Sequence, residues 1–98
     1  MNKYQQECLT VLMEECGEVI QEICKILRFG LEEYSHHDVT KTHLECLQQE
    51  LGDLLAMIQM LRDSELGLTD EGLKAAYNAK LVKVKQWMKH KKPPTKKE

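Results

Sequence analysis

Aromatic residues and proline are scarce in this chain of 98 residues. Phenylalanine, tryptophan and tyrosine together make up 5% of it, and there are two prolines and five glycines. Charged residues account for 31% and hydrophobic residues for 42%. This composition is typical of a folded helical protein and argues against a disordered chain. Because a domain of this length buries only a modest core by itself, we expect a partner chain to add to it.

A long apolar run is also missing. No segment approaches the roughly 20 apolar residues that a helix needs to cross a bilayer. The first ten residues, MNKYQQECLT, lack the hydrophobic block of a signal peptide. We therefore expect a cytoplasmic protein.

No CxxC pair occurs among the four cysteines. Cys8, Cys16 and Cys24 recur every eight residues along one predicted helix, so they cannot bridge to one another. We predict that these three and Cys46 are reduced thiols in the core, where free cysteine usually lies.

Acidic side chains are almost absent from the last quarter of the chain. All the acids but one lie between residues 7 and 71, and from Lys74 onward the only acid is Glu98. One part of the chain is thus suited to hold cations and the other to hold anions.

Two capping boxes mark the starts of the first two helices. Asn2 and Gln5 predict a helix that begins near Asn2 and stops at Gly30, a natural left-handed terminator. Thr42 and Glu45 repeat the signal, and apolar residues of helical period continue to about residue 61. The segment LEEYSHHDVTK between the two helices breaks the pattern.

A third helix is predicted after Thr69 or Asp70, with acids in its first turn and lysines in its last. We expect Pro93 and Pro94 to end it. No segment shows sustained alternation of period two, so the fold class is all-α. The predicted organisation is one all-α domain over residues 1–92 and a frayed basic tail over 93–98.

One short pattern occurs twice, 35 residues apart: ECGEVI at 15–20 and ELGDLL at 50–55. At about 100° per residue, the acids of the first copy, Glu15 and Glu18, border the apolar face of helix one. The acids of the second copy, Glu50 and Asp53, have apolar neighbours on both sides. The glycines of the two copies lie on the opposite wall, where another helix could approach closely.

Facing pairs of acids predict a cation. Ionised carboxylates on one helix face repel one another, and burying them without a partner costs several kcal/mol. Four carboxylates supply the oxygen ligands that a hard ion such as Mg²⁺ or Mn²⁺ prefers. The Glu-x-x-His pattern of di-iron bundles is missing, which disfavours redox iron. The alternative is a solvated acidic face paired with lysines, and surface glutamates are common enough to keep it open.

The two elements resemble a known family. The residues EECGE at 14–18 match the EExxE element, and ELGD at 50–53 match the ExxD element, of the all-α nucleoside triphosphate pyrophosphohydrolases, the MazG-like superfamily. The stretches CKILRFG and AAYNAKLVKVKQWM look like small bacterial and phage members, so the likeness covers most of residues 4 to 90. The resemblance implies Mg²⁺-dependent hydrolysis of a nucleoside triphosphate to the monophosphate and pyrophosphate, in a homodimer or homotetramer of helical bundles.

The resemblance also implies roles for single residues. Glu15, Glu18, Glu50 and Asp53 would be the metal ligands, with Glu14 an accessory at most. The chemistry adds further candidates, since hydrolysis requires a group that accepts a proton from the attacking water, and Glu18 and Glu22 are the plausible bases. The phosphates need cationic partners, and Lys80 is the first candidate because it lies on the apolar stripe of helix three, with Lys83 and Arg28 as weaker ones.

Weaker candidates and other functions stay open at this point. Tyr34, His36 and His37 of the intervening loop could contact a base. The basic tail could bind nucleic acid, but aromatic residues do not accompany its lysines beyond Trp87. Besides nucleotide-pool housecleaning, the sequence permits a phosphoribosyl-ATP pyrophosphohydrolase or a non-enzymatic helical interaction module. Because three helices share too little interior, we predict a four-helix-type bundle completed by oligomerisation.

Overall fold

A computed structural model describes residues 1–94. It contains three helices, α1 (Lys3–Phe29), α2 (His43–Asp63) and α3 (Asp70–Trp87). Within these residues no strand forms, and Tyr34 and Thr42 make an isolated antiparallel bridge. The predicted all-α class is confirmed. No helix in the described part of the chain combines the length and apolar character needed to cross a membrane.

The predicted helix starts are confirmed by their capping contacts. At α1 the backbone N–H of Gln5 donates to Oδ1 of Asn2 over 2.8 Å, and the Gln5 side chain accepts from the Asn2 N–H. Thr42 and Glu45 make the same reciprocal pair at α2. Gly30 ends α1 with a φ of 99°, a conformation that a side chain would strain.

The end of α3 differs from the prediction. The helix stops at Trp87, and Met88 is already extended, with φ −68° and ψ 133°. The prolines that were expected to end it follow only at 93 and 94. Beyond Met88 the sequence KHKK has no apolar side chain to pack and places like charges one turn apart, so nothing stabilises a further turn. The tail residues 95–98 lie outside the described residues.

Residues 1–67 form one compact unit in which α1 and α2 pack antiparallel. At one end the Gln5 side chain donates to the Ser64 carbonyl oxygen over 2.8 Å. At the other end the rings of Phe29 and His43 stack with centroids 5.8 Å apart. These two contacts define the register of the helical hairpin.

The face of α1 turned toward α2 is more polar than predicted. Its buried residues are Gln5, Cys8 and Glu22. Ile20 and Ile23, which the helical wheel assigned to the core, are 62% and 43% exposed. The wheel correctly identified an apolar arc, but the carboxylates rather than the centre of that arc face α2.

The prediction of core thiols is correct only in part. All four cysteines are free, and Cys8 is buried while Cys46 is half-buried. Cys16 and Cys24 are exposed, because they lie on the part of the apolar arc that faces away from α2.

The glycines of the two repeated motifs have open space around them. A Cβ atom added at Gly17 or Gly52 would meet no heavy atom within 4 Å. Within residues 1–67, therefore, neither helix uses the room that the two glycines leave. That this room admits another helix stays a prediction.

The second compact unit begins at Leu68 and contains α3. No residue of α3 is buried, and its predicted apolar stripe is open, with Tyr77 65% and Leu81 47% exposed. The predicted single domain over residues 1–92 and the predicted completion of a four-helix bundle by oligomerisation stay predictions.

Candidate metal centre

Three carboxylates converge midway along the hairpin. Glu15 comes from α1, and Glu50 and Asp53 come from adjacent turns of α2. One oxygen atom from each lies within 4.8 Å of the other two. Oxygen Oε2 of Glu15 is buried and has no hydrogen-bond partner within residues 1–94. Since a buried carboxylate oxygen without a partner is costly, the cluster is a site that a cation would stabilise.

Electrostatics at Glu50 show how closely the acids are grouped. Burial raises the pKa of Glu50 above its ordinary value of 4.5, and the neighbouring charges of Asp53, Glu15, Glu18 and Glu22 raise it further, in that order. Both effects disfavour the charged form of the carboxylate. The four predicted metal ligands therefore share one electrostatic environment, and Glu22 belongs to it as well.

Glu18 and Glu22 lie at the edge of this group. Glu18 is exposed and is not one of the three converging residues, although it lines the cleft that adjoins Glu50. Glu22 is 7% exposed. Its Oε1 accepts a hydrogen bond from Lys25 over 3.2 Å, and its Oε2 is buried without a partner among the described residues.

A cleft of about 280 Å³ opens between the two helices beside Glu50. Residues of α1, of the loop 30–42 and of α2 line it: Glu18, Gln21, Glu22, Lys25, Ser35, His37, Asp38, Lys41, Cys46, Gln49 and Glu50. Four of these side chains are carboxylates and two are lysines. The two lysines, Lys25 and Lys41, were not predicted as site residues. Lys25 follows Glu22 by one turn, which is the signal that could have identified it.

The predicted phosphate-binding residues belong to two different parts of the chain. Arg28 is exposed, does not line the cleft, and holds its guanidinium 4.9 Å from the centroid of the Phe29 ring. Lys80 and Lys83 belong to α3, where both are exposed. The Lys80 ammonium lies 5.7 Å from the centroid of the Trp87 ring, so a cation–π contact accompanies its position on the apolar stripe.

The three loop residues suggested as base contacts have different surroundings. His37 lines the cleft. His36 packs against Phe29 with ring centroids 5.4 Å apart, and Tyr34 is 56% exposed. Sequence reasoning did not single out His43, which is 1% exposed and has neither ring nitrogen hydrogen-bonded within residues 1–94.

Comparison with known proteins was made at three levels. The family model of the MazG nucleotide pyrophosphohydrolase domain matches residues 3–90. The search of curated proteins finds no significant match, nor does the search of solved structures.

Proposed function

Because the chain belongs to the MazG nucleotide pyrophosphohydrolase family, we propose that it hydrolyses a nucleoside or deoxynucleoside triphosphate to the monophosphate and pyrophosphate with the help of Mg²⁺. The role that we assign is housecleaning or adjustment of the cytoplasmic nucleotide pool. The observation that carries the proposal is the convergence of Glu15, Glu50 and Asp53, in which a buried oxygen of Glu15 has no hydrogen-bond partner among residues 1–94.

The donor set fits the metal. Carboxylate oxygens are hard ligands, which Mg²⁺ prefers and Mn²⁺ also accepts. Glu15, Glu50 and Asp53 would hold the ion, and Glu18 would join them as the fourth ligand from the mouth of the cleft. When bound, the ion would neutralise phosphate oxygens and polarise the phosphorus centre.

Of the two candidate bases, we assign Glu22. Its Oε1 accepts a hydrogen bond from Lys25, its Oε2 has no partner within residues 1–94, and the side chain lines the cleft. The Glu22 carboxylate would accept a proton from a water molecule in the cleft. Replacement of Glu22 by Gln should lower kcat and leave Mg²⁺ affinity nearly unchanged, whereas replacement of Glu18 by Gln should weaken Mg²⁺ binding.

Arg28, Lys80 and Lys83 stay in the proposal as cations for the substrate. A homodimer or homotetramer is also part of it. The exposed apolar side chains of all three helices support an association, among them Leu27 at 81%, Leu55 at 67% and Tyr77 at 65%. Light scattering at micromolar concentration that gives the mass of a monomer would contradict the assembly.

The test of the activity is a nucleotide panel assayed with and without Mg²⁺. Wild type should release pyrophosphate and the monophosphate only when Mg²⁺ is present. The Asp53→Asn variant lacks one of the proposed metal ligands. Its activity should therefore fall by more than the roughly 10–100-fold that is typical when a residue beside a metal ligand is replaced. Glu14→Gln serves as the matched control, since Glu14 is exposed and outside the cluster.

Two other results would change the assignment. Turnover of phosphoribosyl-ATP in preference to every nucleoside triphosphate would favour the phosphoribosyl-ATP pyrophosphohydrolase activity. Absence of turnover together with absence of Mg²⁺-dependent stabilisation would favour a helical interaction module.

A further inference from the structure

The cleft beside the acidic cluster contains two lysines to which the catalytic scheme assigns no substrate role. Lys25 of α1 and Lys41 of the loop both line it, and both are half-buried. A lysine side chain is seldom buried unless its ammonium group has a partner. The two lysines therefore raise the question of which anion they bind.

Two backbone hydrogen bonds fix the position of Lys41 in the loop. Its carbonyl oxygen accepts from the Ser35 N–H over 2.9 Å, and its own N–H donates to the Asp38 carbonyl over 3.1 Å. Its ammonium donates over 2.7 Å to Oε1 of Gln49, a neutral amide. Within residues 1–94 no salt bridge joins it to a carboxylate, although its charge also acts on the nearby carboxylates of Asp38 and Glu45. A lysine ammonium that a neutral amide holds at the wall of a cleft can still donate to an anionic ligand.

Lys25 is bound differently. Its ammonium pairs with Oε1 of Glu22 over 3.2 Å, which leaves two of its three N–H donors for other partners. Lys25 can thus contact a ligand in the cleft while it remains bonded to Glu22.

The size and the charge of the cleft limit the ligands that it can bind. Its volume of about 280 Å³ is just below the range of roughly 300–1,000 Å³ for drug-sized ligands, so it suits a short phosphate chain rather than a complete nucleotide. Four carboxylates and two lysines line it. Because the carboxylates outnumber the lysines, a phosphate chain would enter only together with a divalent cation.

We propose that this cleft binds the pyrophosphate part of the substrate's phosphate chain, with Lys41 and Lys25 as its cationic ligands. The assignment rests on the proposed function and deepens it. The nucleoside would then lie outside the cleft, whose loop side includes His37.

The test is calorimetric titration with inorganic pyrophosphate, in Mg²⁺ and in EDTA, on wild type and variants. Wild type should bind pyrophosphate in Mg²⁺ at millimolar concentration or below and should not bind it in EDTA. Lys41→Met should raise the Kd about tenfold, the expected loss for one charge-assisted hydrogen bond. Lys41→Arg, which keeps the charge, should bind within about threefold of wild type.

Matched variants keep the experiment decisive. Lys74→Met removes an exposed lysine of α3 and should bind as wild type does. In steady-state assays Lys41→Met should raise KM for the triphosphate about tenfold with a smaller change in kcat. Far-UV circular dichroism verifies that each variant is folded, and Lys25→Met supplies a second variant if Lys41→Met fails this check.

The outcomes separate this inference from the proposed activity. Pyrophosphate binding that depends on Lys41, in a protein that hydrolyses no nucleotide, would support the cleft assignment and contradict the activity. Hydrolysis by wild type, with Lys41→Met equal to it in KM and in pyrophosphate affinity, would overturn the cleft assignment alone. Wild type that does not bind pyrophosphate in Mg²⁺ would overturn it as well.

Discussion

The side-chain Nε2 of Gln5 donates a hydrogen bond of 2.8 Å to the backbone carbonyl of Ser64, across 59 residues of sequence. This contact joins the start of α1 to the end of α2, and Gln5 is 8% exposed. Together with the stacked rings at the other end of the hairpin, it defines a register in which Glu15 faces Glu50 and Asp53. The arrangement of the acidic cluster thus depends on a contact at one end of the two helices.

Gln5→Ala should lower the free energy of unfolding by about 2 kcal/mol, since it leaves the buried Ser64 carbonyl without its donor and removes half of a capping box. Urea denaturation measures the change. Gln6→Ala is the matched control. The Gln6 side chain makes only an exposed contact of 3.5 Å to the Met1 carbonyl, so its loss should cost less than about 0.5 kcal/mol. Equal effects of the two substitutions would contradict the role of the Gln5 contact.

The contribution of Glu50 to the stability of the metal-free protein should fall as pH rises above 4.5. Its folded-state pKa lies above its ordinary value of 4.5, so the unfolded chain loses its proton first, and stability falls as pH rises through the window between the two values. Thermal melts in EDTA between pH 4 and about pH 8 should show Glu50→Gln melting a few degrees above wild type at neutral pH, with the difference vanishing near the acid end.

Glu45 supplies a control of opposite sign. Its pKa is lowered, chiefly by the backbone N–H of Thr42 and then by the Thr42 hydroxyl. The stabilisation from Glu45 is therefore present above pH 4.5 and is lost as pH falls through the lowered pKa. Glu45→Gln should melt below wild type at neutral pH and converge with it in acid. Parallel pH profiles for Glu50→Gln and Glu45→Gln would contradict both assignments.

Addition of Mg²⁺ should raise the melting temperature. An ion that binds only the folded state, at about 100 times its Kd, adds about 2.7 kcal/mol of stability, which corresponds to roughly 10–20 °C in a domain of this size. Glu15→Gln should lose most of this gain, because it removes a ligand whose Oε2 has no other partner.

Glu14→Gln, one residue away on the exposed side of α1, should keep the gain in full. Differential scanning fluorimetry with Mg²⁺, Ca²⁺ and EDTA measures the three proteins in parallel. A gain of the same size in Glu15→Gln would show that Mg²⁺ binds at a different place.

His43→Phe should leave the free energy of unfolding unchanged or raise it by up to about 2 kcal/mol. The ring of His43 is 1% exposed and stacks on Phe29, while neither nitrogen is hydrogen-bonded within residues 1–94. An aromatic ring without polar atoms keeps the stacking and avoids the cost of unpaired nitrogens. His43→Ala should instead lower stability by about 2–4 kcal/mol through the cavity it creates. If the two variants were equally destabilised, a hydrogen-bonding role of the imidazole would follow.

Local signals made the three helices predictable, because a helix begins and ends through contacts within a few residues. Asn2 with Gln5, Thr42 with Glu45, and Gly30 were all recognised in advance, and each acts within one helical turn of its own position. The end of α3 was missed for the opposite reason. It depended on the absence of packing beyond Met88 rather than on the prolines at 93 and 94.

The acidic cluster was predictable as a set of acids but not as an arrangement. The repeated motif at 15–20 and 50–55 predicted Glu15, Glu18, Glu50 and Asp53, and the structure brings Glu15, Glu50 and Asp53 together. A helical wheel gives the direction in which each side chain leaves the axis of its own helix. It does not show which of these directions faces the neighbouring helix. For that reason Ile20 and Cys16 were expected inside, and Lys41 was not expected at the cleft.

Periodicity and capping residues were enough to predict an all-α chain, since these features depend on residues within a few turns of one another. The motifs at 14–18 and 50–53 carried the resemblance to the MazG family, to which the match over residues 3–90 assigns the chain. The register of α1 against α2 required contacts between residues far apart in sequence, Gln5 with Ser64 and Phe29 with His43. Only that register turns Glu15, Glu22 and Glu50 toward one another and brings the loop lysine to their cleft, because side-chain proximity across two helices is a property of their packing.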